Sequence, residues 1–165
     1  MEIKLRPWRE SDLNNLVNYA NNPNIAAHLT DAFPHPYTEA DGLNFITRAT
    51  QEKPENVLAI DHDGKAIGSI GIYPQNDVHA GNAELGYWLA EPYWGMGITT
   101  QAIQLMVAYT FSRFLVRRIF ARPFSLNQAS HRVLEKNGFQ LEARFQGTIV
   151  KNGELLDELV YAVRR

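Results

Sequence analysis

Trp94-Gly95-Met96-Gly97-Ile98-Thr99 is the stretch of this chain with the plainest chemical potential. A short apolar run, Leu85 to Leu89, precedes it, and a continuous helical pattern, Ile98 to Phe114, follows. A Gly-x-Gly turn between a strand and a helix leaves backbone N–H groups bare at the positive end of the helix dipole. Such a turn can hold a pyrophosphate without a cluster of charged side chains. Two glycines at a strand–helix junction also serve as ordinary turn punctuation, so the spacing alone leaves both readings open. A second polar element, Asn127-Gln128-Ala129-Ser130, opens another helix. Asn127 suits an N-cap there, and Ser130 is either a working hydroxyl or one that bonds back to a helix carbonyl.

The elements that must carry these residues are legible from periodicity. Residues 2–6 alternate as a short strand stopped by Pro7. Ser11 or Asp12 can cap a helix with Leu13, Leu16, Val17 and Ala20 on one face, ended by Asn21-Asn22-Pro23. Residues 28–37 form an aromatic, proline-rich loop, and Thr38 with Asp41 has capping-box spacing for a helix to about Gln51. Val57–Ile60 and Ala66–Tyr73 read as strands joined by the Asp63-Gly64 turn, with a third strand over Ala83–Leu89. Arg118–Ala121 is a short strand, and Asn127–Asn137 a helix closed by Gly138. Phe139, Leu141, Ala143 and Phe145 alternate with polar residues as a half-buried strand, and Asn152-Gly153 turns it back through Leu155 to Val163. The order β-α-α-β-β-β-α-β-α-β-β predicts an α/β (α+β) domain spanning residues 1–165. Its sheet is mixed and mostly antiparallel, with helices packed on both faces and a central β-α-β crossover. A doubly wound nucleotide fold would need more strand–helix alternation.

Composition narrows the function classes. The chain has 165 residues, 45% hydrophobic and 21% charged, which is ordinary for one globular domain. A net charge of −2 argues against a nucleic-acid binder, and Arg113, Arg117, Arg118 and Arg122 read as a solvated basic patch near a helix end. Cysteine is absent, which excludes disulfides, thiolate metal sites and a cysteine nucleophile. Histidines 28, 35, 62, 79 and 131 have no metal-ligand spacing, so no metal is expected. Neither a signal-peptide core nor an apolar run long enough for a membrane span is seen, and a cytoplasmic location is expected.

Asn127 to Phe139, taken with Glu84-Leu85-Gly86-Tyr87-Trp88-Leu89 and the Gly95/Gly97 turn, resembles the GNAT acyltransferases along essentially the whole chain. It is similar in particular to the branch of ribosomal-protein N-terminal acetyltransferases. The resemblance implies acetyl-CoA as cosubstrate and an amine acceptor, either a peptide N-terminus or a small molecule. Backbone N–H groups from Met96 through Gly97, Ile98 and Thr99 to about Thr100 would then hold the pyrophosphate, with Trp94, Gly95 and Ser130 also at the cofactor. The Trp88–Leu89 end of its strand would receive the pantetheine arm, and Asn127 would bond the pantetheine amides. Trp94 stands where the wider superfamily has Gln or Arg. Thr99 stands where Gly or Ala is usual, crowding the phosphate while offering a hydroxyl.

The implied reaction is attack of a neutral amine on a thioester, with oxyanion stabilisation and a proton for the departing thiolate. At pH 7 about 10–15% of an α-amine is neutral, against about 0.04% of a lysine, so a low-pKa acceptor is favoured. The resemblance makes Glu84 the candidate base, directly or through water, beside the plainer reading of a polar residue facing outward on a strand. The tyrosine acid of many GNAT enzymes is replaced by Leu134, and Ser130 matches the serine given that part in the ribosomal branch. A glutamate that some of those enzymes carry on the next strand falls near Ile149 and is missing. Phe33, His35, Tyr37 and Tyr87, with Trp88, are the acceptor-pocket candidates. A non-catalytic acyl-CoA sensor is the rival expectation, and monomer or homodimer is left open.

Overall fold

The computed structural model describes all 165 residues. Seven strands form one sheet: β1 (Lys4–Arg6), β2 (Val57–His62), β3 (Lys65–Pro74), β4 (Asn82–Leu89), β5 (Arg118–Ala121), β6 (Gln140–Lys151) and β7 (Glu154–Arg164). Their spatial order is β1-β2-β3-β4-β5-β7-β6, and every neighbouring pair is antiparallel except β4 with β5. That parallel pair needs a crossover, which α4 (Ile98–Arg113) supplies. The remaining helices are α1 (Leu13–Ala20), α2 (Pro23–Ala26), α3 (Glu39–Ala49) and α5 (Gln128–Lys136).

The mixed, mostly antiparallel sheet is covered on both faces, as periodicity predicts. Leu58, Ile60, Ile70, Ile72, Leu85 and Ile119 pack with Ile98, Ile103 and Met106 of α4 and Leu134 of α5. Val57, Ala59 and Ala66 turn to the other face, against Leu16 and Ala20 of α1 and Ile46 and Ala49 of α3. Period-two alternation thus sends consecutive residues of β2 into two different cores. The Thr38/Asp41 capping box forms, with the Asp41 N–H donating to Thr38 Oγ1 and the Thr38 N–H donating to Asp41. Both hairpin turns adopt the left-handed conformations that Asp63-Gly64 and Asn152-Gly153 favour.

Two expectations need correction. Asn22-Pro23 starts a helix as well as ending one: Asn22 Oδ1 caps the Asn24 N–H, and Pro23 occupies the first turn of α2. β6 is not half-buried, for Leu141 is 53% and Phe145 48% exposed. It is the outermost strand, and its register with β7 shifts twice, so its apolar alternation finds no helix to pack on.

A buried cation fastens β1 to the rest. Arg6 donates to both oxygens of Asp12 at 2.8 Å and through Nε to Asp61 Oδ2 at 2.6 Å, all three side chains being nearly inaccessible. Asp61 also accepts the Gly64 N–H of the β2–β3 turn. Burial pushes the Asp61 carboxyl up, but Arg6 and that N–H together hold it below the ordinary aspartate value. Arg6→Met would strand two buried carboxylates. It is expected to cost about 3–5 kcal/mol, read as a lower urea midpoint at unchanged slope; a loss under 1 kcal/mol would refute this role.

Candidate active site

β4 and β5 stay paired for only three residues, Asn82 with Arg118, Ala83 with Ile119 and Glu84 with Phe120. β4 then runs on to Leu89 along β3, while β5 continues along β7, so the sheet splits. The Ala90 N–H donates to Ile67 on the β3 side. Alternation therefore turns the N–H and C=O of Leu89 and Tyr87 toward the open side. A cleft of about 420 Å³ lies there, walled by the end of β4, the start of α4, one side of α5 and the segment around α2.

At the start of α4 the glycines do conformational work. Gly95 and Gly97 have φ of 75° and 77°, and a Cβ at either would meet nothing within 4 Å, so backbone conformation rather than crowding demands glycine. The first helical bond runs from the Gln101 N–H to the Gly97 carbonyl, and α4 has no side-chain cap. The N–H groups of Met96, Gly97, Ile98, Thr99 and Thr100 consequently have no acceptor within the protein. Trp94 pins the turn to the strand by donating its indole N–H to the Leu89 carbonyl at 2.7 Å. On α5, Asn137 donates to the Thr100 carbonyl, tying the two cleft helices together.

Asn127 caps α5 by accepting the Ser130 N–H through Oδ1, which leaves its amide Nδ2 free at the cleft wall. The Ser130 hydroxyl, buried with its residue, is hydrogen-bonded to the phenol of Tyr87 across the gap between α5 and β4. Burial pushes the Tyr87 phenol up to about 12, the Ser130 contact pulling the other way. At neutral pH the pair therefore stays protonated.

Trp88, Leu89, Trp94, Gly95, Gly97, Ile98, Thr99, Thr100, Asn127, Ser130 and Tyr87 all meet in this cleft, whereas Met96 points outward, 51% exposed. The expected acceptor group separates. Tyr37 is 5% exposed inside the second core, its phenol pushed up to about 12 by burial, and Phe33 and Trp88 complete an aromatic cluster with it. Only Trp88 of that cluster also reaches the cleft, and His35 stays exposed outside it. Glu84 is not in the cleft wall either: Arg122 donates to both its oxygens, at 2.9 and 3.0 Å. It shares the parity of Trp88 but lies four residues back, where β4 is still paired with β5.

The wall formed by Asn24, Ile25, His28 and Leu29 went unread in the sequence, as did Arg132 and Lys136 on α5. α2 is held at the cleft by Glu91, which accepts from the side-chain amides of Asn22 and Asn24. Asn22-Pro23 was the available signal for that helix; the link to Glu91 spans nearly seventy residues and leaves no local pattern.

The acetyltransferase (GNAT) domain family matches residues 2–140. An uncharacterized N-acetyltransferase of Bacillus subtilis, YoaA, is 36% identical over 97 residues, 59% of this chain and 54% of that protein, so the match spans about half of the relative's length. The ribosomal-protein-serine acetyltransferase of Escherichia coli K12 is 33% identical over 56% of this chain and 53% of its own. The spermidine N(1)-acetyltransferase of the same organism is 24% identical over 92% of this chain and 80% of its own. Among solved structures, the ribosomal L7/L12 α-N-protein acetyltransferase RimL, in complex with coenzyme A, superposes with a TM-score of 0.86 at 23% identity, covering 98% of this chain and 93% of that one. With a split sheet, a bare N–H cradle at α4 and a matched domain over most of its length, the chain belongs to the GNAT family of N-acetyltransferases.

Proposed function

We propose that the protein transfers the acetyl group of acetyl-CoA to the α-amine of a peptide or of a small monoamine. The carrying observation is the cleft itself, with five unpartnered N–H groups at one end and open strand edge at the other. The Met96–Thr100 cradle suits the pyrophosphate, and the free Thr99 hydroxyl can add a donor. Arg132 and Lys136 add positive charge along the same wall. The pantetheine arm extends β4 as a strand would, bonding Tyr87 and the Asn127 amide. The Leu89 N–H faces the thioester carbonyl and can stabilise its oxyanion.

As the amine forms the C–N bond, the C–S bond breaks and the thiolate takes a proton from the Ser130 hydroxyl, which Tyr87 backs. A Tyr87 phenol that stays protonated keeps this donor pair loaded. The acceptor class follows from charge: no Asp or Glu lines the cleft, and the nearby Glu84 and Glu91 are committed to Arg122 and to Asn22 and Asn24. A polycationic amine needs free carboxylates, whereas an α-amine already partly neutral at pH 7 does not. Glu84, expected as the base, is proposed instead to lock β4 to the segment after β5 at the point of the split. Accepting a proton there would break a bidentate ion pair.

Incubation with acetyl-CoA and a panel of N-terminal peptides, polyamines and aminoglycosides tests the reading. Acetyl transfer to peptide or monoamine α-amines should exceed transfer to spermidine by at least ~10-fold in kcat/KM; preference for the polyamine would overturn the acceptor class. Ser130→Ala and Tyr87→Phe are each expected to lower kcat ~10- to 100-fold while leaving CoA affinity by calorimetry within about threefold. Unchanged kcat would remove the pair from the chemistry. Glu84→Gln is expected to reduce kcat/KM less than ~10-fold, because the contact it loses is a half-exposed ion pair. A ~1000-fold drop with intact CoA binding would restore Glu84 as the base.

A further inference from the structure

His28 is an exposed residue that lines the same cleft, and its ring is without a partner. Its backbone N–H closes the turn after α2 onto the Ile25 carbonyl, and its imidazole makes no hydrogen bond to any protein group. Ile25, 3% exposed, anchors that segment, and Glu91 fixes its start, so the ring is offered to the cleft from a held backbone.

A proton acceptor is what this cleft otherwise lacks. Its titratable lining consists of His28, Tyr87 on β4, Tyr93 after it, and Arg132 and Lys136 on α5. Arginine, lysine and phenol side chains act as donors, and burial pushes the Tyr87 phenol up to about 12, so the other four groups offer no proton acceptor. No carboxylate lines the space, and Glu84 is held by Arg122, Glu91 accepts from Asn22 and Asn24, and Asp31, three residues after His28, pairs with Lys151. Only an imidazole both lines the space and has a lone pair available near pH 7.

We infer that His28 is the general base, taking the proton that the acceptor nitrogen sheds as it bonds to the thioester carbonyl carbon. The step balances. Nitrogen gives its electron pair to carbon and one proton to the imidazole, the C–S electron pair leaves on sulfur, and sulfur receives the proton of Ser130. The imidazolium then discharges to the solvent to which His28 is exposed, and the serine hydroxyl is restored through Tyr87 and water. Partial burial draws the imidazole below its ordinary value, which favours the neutral ring. The ring is therefore neutral, and ready to accept, through the pH range in which an α-amine becomes neutral.

This assignment rests on the acetyl-transfer reading above. The test compares wild type with His28→Asn and His28→Gln, using acetyl-CoA and a peptide α-amine acceptor across pH 5.5–9. Both variants should lose ~30-fold or more in kcat/KM, lose the acid limb due to the imidazole, and keep CoA affinity and thermal midpoint. Free imidazole added to His28→Gly should recover part of the rate. Variants within about threefold of wild type with an unchanged pH profile would overturn the base assignment and leave acetyl transfer standing. Wild type that binds CoA yet acetylates no amine would overturn both.

Discussion

Everything at this site depends on the divorce of two parallel strands. β4 is satisfied along its whole length by β3, and β5 by β7, so each has a complete hydrogen-bonding partner on its outer side. Between them the shared ladder ends at Glu84 and Phe120, and the edge of β4 beyond it faces a gap. Backbone N–H and C=O groups near a protein interior must bond to something. Here the chain supplies only one partner, the Trp94 indole on the Leu89 carbonyl. An extended ligand with amides of its own is the natural complement, because it can continue the sheet where β5 has left it.

The rest of the molecule holds that gap open. Two apolar cores, one on each face, fix β2, β3 and β4 as a rigid slab, and Arg6 with Asp12 and Asp61 buttons β1 and the first helix onto it. Glu84 and Arg122 clamp the strands at the last paired residue, which sets where the opening begins. α4 and α5 are joined by Asn137, and α2 is joined to the end of β4 by Glu91, so all the walls are cross-tied. Preorganisation of this kind lets weak backbone donors act together on one ligand.

Charge and proton chemistry divide between the walls. The start of α4 and the α5 cations put positive potential on one side of the cleft, while the hydrogen-bonded Ser130 and Tyr87 put hydroxyl groups beside β4. His28, in the turn after α2, lines the cleft from a third direction, where the proposed reaction needs a lone pair. No single helix or strand forms more than part of the cleft lining.

Local signals were enough for much of this. The two glycines announced the N–H cradle, because a left-handed turn before a helix is a property of three or four consecutive residues. Asn127 announced the cap of α5, Thr38 and Asp41 that of α3, and alternation with 3.6-residue periodicity laid out the strands and helices nearly to their ends. What could not be read was whatever depends on distant partners. Tyr37 looked like a pocket aromatic and lies in a core. Glu84 read as either a base or an outward polar residue, and the Arg122 that holds it comes from 38 positions on; β6 alternated as though a helix would cover it. His28 showed no sequence pattern at all. The sequence by itself determined the elements, the cradle and the polar residues available, since those follow from backbone conformation and spacing. Only tertiary packing decided which side chains were spent on each other and which stayed free in the cleft, because a charge or lone pair is available for chemistry only when no neighbour has already claimed it.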